Sequence, residues 1–174
     1  MVTAIVKDLA EEALKVYQDG DYLNAARLFS EAASSFQSQG NFLGAAEMKN
    51  NESVALMLNG DARGSYDAAQ GTAQVFLDAG DFRRQGLALG NEAVALTSLH
   101  RIDDAIQSYH LSADALEKAG EDQLRSSVLE AVAGLQLRRG KIMEALLSMR
   151  QGLAGVKNPT FKQRILLALL KIRS

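Results

Sequence analysis

Glycine stands at positions 20, 40, 60, 80, 120 and 140 of this 174-residue chain. Eight multiples of twenty fall within that length, and 14 glycines scattered at random would occupy fewer than one of them. A repeat this regular constrains the fold before any other feature does. Twenty residues hold one helix and a turn, and glycine is the usual residue where a helix closes in the left-handed conformation. The pattern reads as a string of similar helices, most of them closed by a glycine of their own.

Pairs of these intervals repeat at forty residues. Ala13, Ser53, Ala93 and Ala133 form one column of small residues, and Ala25, Ser65, Ala105 and Ala145 form another. Phe29, Ala69, Tyr109 and Met149 lie one turn beyond the second column, and Tyr22, Ala62, Ile102 and Ile142 follow the turn at Gly20, Gly60, His100 and Gly140. Small residues at fixed places let two helices approach closely, while larger apolar residues fill the space beside them. Apolar steps of three and four, as in Ile5, Leu9, Ala13 and Val16 or Ile102, Ile106 and Tyr109, are helical, and no stretch alternates as a strand would. Four helix–turn–helix units are expected, over 1–40, 41–80, 81–120 and 121–158. Pro159, the one proline, should end the fourth, because the residue before a proline is pushed out of helical geometry. A last helix should run from about Thr160, a plausible N-cap, to Arg173. The expected fold is an all-α solenoid filling a single domain over 1–174.

Composition narrows the function. There is no Cys and no Trp, and only two His, so thiol chemistry, disulfides and thiolate metal sites are excluded. His100 and His110 lack a second ligand at helical metal spacing, and surface or structural roles are expected of them. No phosphate-cradling loop, nucleophile elbow or zinc-protease helix occurs, so neither enzymatic activity nor a cofactor is expected. Gly86 and Gly90 are spaced to let a neighbouring helix approach. The longest apolar stretch, Ile165 to Leu170, is six residues, far short of the roughly 20 that span a bilayer. With no signal-type N-terminus, a cytoplasmic protein is expected.

At the residues quoted above the chain resembles the tetratricopeptide-repeat family. Gly20-Asp21-Tyr22 followed by Ala25, Phe29 and Ala32 carries the likeness best, then His100-Arg101-Ile102 with Ala105, Tyr109 and Ser112, and Gly140-Lys141-Ile142 with Ala145 and Met149. Gly60-Asp61-Ala62 with Ser65 and Ala69 is the poorest match. The period of forty, against about 34 in the common repeat, looks like the longer-helix subgroup, the kinesin light chain type. The resemblance implies a right-handed solenoid whose first helices line a concave groove that binds a peptide or helix of a partner protein. It also implies that an Asn in the middle of the first helix bonds the partner's backbone. The matching positions are Glu11, Asn51, Asn91 and Ala131.

Asn51 and Asn91 can donate and accept together, which suits an extended backbone; they are equally readable as ordinary exposed or inter-helix amides. Asn50 stands beside them, and Lys7, Glu47, Val54, Met57, Arg84, Val94 and Arg138 are expected to supply side-chain contacts. A further column, Glu12, Glu52 and Glu92, either bonds structural neighbours on the adjacent helix or faces the groove. In the second case it makes the groove acidic with Glu47 and Glu130, and the partner should carry basic residues.

Charge is unevenly spread. Residues 1–120 hold 9 basic and 17 acidic side chains, and residues 121–174 hold 10 basic and 4 acidic. The basic end could meet an acidic protein, nucleic acid or an anionic membrane surface, complement helix C-termini, or favour head-to-tail self-association. No aromatic interleaving or base-reading motif accompanies it, which argues against nucleic acid. Finally, the last helix is more apolar than one face requires. Phe161, Ile165, Leu166, Leu169 and Leu170 either cap the solenoid or form a homodimer interface.

Overall fold

A computed structural model describes residues 2–171, with side-chain surroundings for 8–165 and for 168. Ten helices fall within it: α1 (Val2–Gln18), α2 (Tyr22–Ser38), α3 (Phe42–Leu58), α4 (Ala62–Ala69), α5 (Thr72–Asp78), α6 (Phe82–Ser98), α7 (Ile102–Lys118), α8 (Asp122–Arg138), α9 (Ile142–Leu153) and α10 (Phe161–Lys171). No strand occurs among the described residues. Successive helices pack as antiparallel pairs, and each pair packs on the next, so the chain is an α-solenoid of helix–turn–helix units.

Each turn is short because two local devices meet in it. Gly20, Gly40, Gly60 and Gly80 all have positive φ. The next residue then caps the following helix: Asp21, Asn41, Asp61 and Asp81 each accept a backbone N–H three residues on. The amide of Asp21 also returns to the Val16 carbonyl at 3.2 Å, closing the end of α1. In the second half the glycines persist at 120 and 140, but Arg101, Glu121 and Lys141 make no side-chain cap. His100 takes the left-handed place of a glycine, with φ of 59°, and is exposed at the helix end.

The two small columns are the contact between the helices of each pair. Ala13, Ala25, Ala93, Ala105, Ala133 and Ala145 are completely buried, as are Ser53 and Ser65, whose hydroxyls lie 3.1 Å apart. Between α6 and α7 the approach is tighter still. The Ser112 hydroxyl donates to the Gly86 carbonyl at 2.7 Å, and a Cβ on Gly86 would stand 2.6 Å from Leu116 Cγ.

Two expectations need correction. The second helix of the second unit is broken: Gln70 turns extended and Gly71 left-handed, so α4 ends and α5 begins. The fourth unit's second helix ends at Leu153, well before Pro159, where Ala154 is extended and Gly155 left-handed. Arg125 holds this early end by donating to the carbonyls of Gln151 and Ala154. The last helix starts at Phe161, and Thr160 does cap it: the Gln163 amide donates to the Thr160 hydroxyl while the Thr160 amide donates to the Gln163 side chain. Its expected end at Arg173 lies outside the described residues.

Two members of the glutamate column, Glu52 and Glu92, lie among structural neighbours. Glu12 is exposed. Glu52 accepts from Lys49 at 2.8 Å, and the same ammonium reaches Ser30 on α2. Glu92 is half-buried on α6, and burial raises its carboxyl above the ordinary 4.5 despite the pull of Arg101, whose guanidinium lies over the Tyr66 ring of α4.

Two measurements follow from this architecture. His100→Gly should raise stability by about 1 kcal/mol by removing the left-handed penalty, and Gly86→Ala should lower it by about 1–3 kcal/mol through overpacking against Leu116; urea midpoints report both. Glu92 binds its proton more tightly folded than unfolded, so its contribution falls as pH rises through the raised folded value. Glu92→Gln should therefore be the more stable protein at pH 7, with the gap closing in acid; thermal melts across pH check this.

Candidate functional site

The first helices of the pairs, α1, α3, α6 and α8, present one face in common phase. On α3 it carries Glu47, Asn51, Val54 and Leu58, at helical steps of four, three and four. Forty residues on, α6 places Leu87, Asn91, Val94 and Ser98 there, and α8 places Ser127, Ala131, Gly134 and Arg138. The face thus mixes apolar and polar side chains on α3 and α6, and on α8 it carries small residues up to Arg138.

Two clefts open on it. One, of about 140 Å³, lies between α1 and α3 and is lined by Leu14, Tyr17, Phe29, Asn51 and Val54. The second, of about 180 Å³, lies between α3 and α6, with walls of Val54, Met57, Leu58 and Val94, Asn91 beside them, and Ser53 and Ser65 at the α3–α4 contact. Val54 is the partition between the two. Neither cleft is lined by a charged residue.

Asn51, Val54, Met57, Asn91 and Val94 therefore come together as expected from their spacing. Asn50 enters differently, accepting from the Asn91 amide at 3.0 Å and so tying α3 to α6 across the wall. Asn51 is half-buried against the first cleft. Glu47 and Arg84 meet each other: Arg84 donates to Glu47 at 3.1 Å and to Asp81 at 2.7 Å, and lies 5.1 Å over the Phe76 ring. Arg84 thereby joins two units. The Asp81 carboxyl is held below its ordinary range, first by the Arg84 backbone amide and then by its guanidinium. Arg138 is exposed in the last turn of α8 and lines neither cleft. The side chain of Lys7 lies outside the described residues.

Leu14, Tyr17 and Leu58 belong to the site although spacing did not single them out. Leu14 shares its column with Val54 and Val94, so the forty-residue register contained the signal.

The basic end is partly neutralised by the units before it. Arg139 pairs with Asp103, Arg125 with Glu117 and Lys162 with Glu130, while Lys141 pairs with Glu144 of the helix it precedes. The Lys162 contact, together with Gln163 donating to Ser126 at 3.0 Å, docks α10 on α8. Phe161 is 74% exposed and Ile165 is 48% exposed. The side chains of Leu166, Leu169 and Leu170 lie outside the described residues.

Among the described residues no three His, Asp or Glu side chains converge as a metal site, and no helix is long and apolar enough to cross a membrane. No protein-family model matches the sequence, and no curated protein matches it. Among solved structures the chain is similar to the crystal structure of BtubC (BKLC) from P. vanneervenii, with a TM-score of 0.76 and 15% identity over 98% of this chain and 73% of that one. That likeness shows the fold, a helical repeat of the tetratricopeptide type.

Proposed function

We propose that this protein is a non-catalytic interaction scaffold, and that the wall formed by its first helices is a concave groove holding a segment of a partner protein. A repeat of this type supports a role with protein partners. The observation that carries the groove is the pair of adjoining uncharged clefts on one wall, each with an asparagine at its side. Apolar side chains of the partner enter the clefts, and Asn51 and Asn91 bond its backbone. Asn91 spends one amide proton on Asn50, leaving its carbonyl and second proton for the partner. Glu47, paired with Arg84, borders this wall, and Arg138 and Lys7 serve as outlying contacts. The forty-residue period supports placing the chain with the longer, kinesin light chain-like repeats.

A second reading, self-association through α10, draws support from the exposure of Phe161 and Ile165. Contiguous exposed apolar surface at a solenoid end favours burial against another copy.

Peptides selected from a random displayed library on the purified chain provide a direct test. Asn51→Ala combined with Asn91→Ala should weaken the selected peptides by roughly tenfold or more, for two lost hydrogen bonds. Unchanged affinity with an unchanged circular dichroism spectrum would remove the groove. For the second reading, sedimentation of the full chain should show a dimer that Phe161→Ser with Ile165→Ser dissociates; a monomer in both ends it.

A further inference from the structure

A third cleft, of about 320 Å³, lies between α5, α6 and α7 and shares no residue with the two on the wall. Leu89 and Ala115 form its buried floor, and Leu77 and Leu111, 38% and 49% exposed, stand on its two sides. The repeat does not call for these two leucines. In the forty-residue register Leu111 corresponds to Glu31, Gly71 and Gln151, and Leu77 to Gln37, Glu117 and Lys157. All six of those positions are exposed and none is apolar, so the other units keep them in water. A lone exposed leucine needs no explanation, but a pair facing each other over an apolar floor makes a surface that a partner can dry.

Acid predominates at the rim of this cleft. Asp114 is exposed and unpaired among the described residues, and Asp78, next to Leu77, accepts from Gln74. Lys118, the cation among the lining residues, has its ammonium 5.5 Å over the Phe82 ring of α6.

The complement to such a surface is α10. Residues 161–174 hold Lys162, Arg164, Lys171 and Arg173 and no acid. Lys162 and Gln163 hold the helix on α8, which leaves Phe161, Arg164 and Ile165 exposed together at helical steps of three and one. Arg164 is unpaired among the described residues. Two copies of this helix face to face would set cations against cations, whereas the cleft offers leucines with a carboxylate beside them.

We infer that the cleft between α5 and α7 receives the start of α10 from a second copy of the chain, with Phe161 and Ile165 entering between Leu77 and Leu111 and Arg164 meeting Asp114. The inference rests on the reading that α10 self-associates and names the surface on which it lands. Size agrees, because an apolar cavity of roughly 150 Å³ accepts benzene, and about 320 Å³ holds the phenylalanine ring with the isoleucine beside it. Cleft and helix are different parts of the chain, so the contact is heterologous and every copy offers one of each. The acidic excess of residues 1–120 and the basic excess of 121–174 steer the two surfaces together.

Sedimentation of the full chain and of two variants tests this. Leu77→Ser with Leu111→Ser removes the receiving side, and Phe161→Ser with Ile165→Ser removes the entering side. All four positions are exposed, and both variants should keep the circular dichroism of the parent. The parent should self-associate and each variant should be monomeric alone. Mixed in equal amounts, the variants should form a two-chain complex, since the first keeps its α10 and the second its cleft. Asp114→Lys, at an exposed position, should weaken self-association about three- to tenfold, a readout that stands even if the leucine variant does not fold. Parental self-association of the folded cleft variant would overturn the cleft and leave α10 as an interface with another surface. A mixture of folded variants without a complex, or parental affinity in Asp114→Lys, would also overturn the cleft, and a monomeric parent would end both readings.

Discussion

Everything in this solenoid depends on how closely the two helices of a pair approach. The contact is made by residues with one side-chain heavy atom beyond the backbone in three pairs, and two in the fourth, all removed from water. Larger side chains there would separate the helices and open voids along each pair, and dispersion falls steeply with such gaps. Phe29, Phe76, Leu96, Leu116 and Val132 then fill the space beside the small columns and are themselves almost wholly buried. Regular approach within pairs is also what keeps the first helices in common phase, so that residues forty apart share a wall.

The turns enforce that phase. A left-handed glycine and a capping Asp or Asn occupy adjacent positions, so one residue ends a helix and the next starts another. Where the caps are missing in the second half, ion pairs between units take over part of the joining: Arg83 with Glu121, Arg139 with Asp103, and Lys162 with Glu130. These pairs are largely exposed, so each adds little to stability. Their larger consequence is for the charge pattern, because the excess of cations near the C-terminus meets anions of the units before it.

The second unit is where the regularity gives way. Gly71 breaks its second helix, and its helix contact carries hydroxyls in place of methyl groups. Here the departure adjoins the more capacious of the two clefts on the wall, and Asn50 and Asn91 tie α3 to α6 beside it. The unit that matches the repeat least well in sequence is thus the one that shapes the middle of the candidate site.

The fold was legible because its determinants are local and periodic. Glycine at the turns, alanine at the contacts and three–four apolar spacing each act within about one helical turn, and repetition raised a weak signal four times over. The same register brought Asn51, Val54, Asn91 and Val94 onto one wall. What it left undecided depended on neighbours distant in the chain. Arg84 turned toward Glu47 and Phe76, Glu52 accepted from Lys49 of its own helix, Glu92 was left half-buried, and α9 stopped at Leu153, where Arg125 donates to the carbonyls of Gln151 and Ala154. Side-chain direction, burial and the depth of a cleft are set by contacts between helices, and no one-dimensional spacing contains them. Periodicity named the helices and their shared face; only the packed structure decided which side chains on that face remain free.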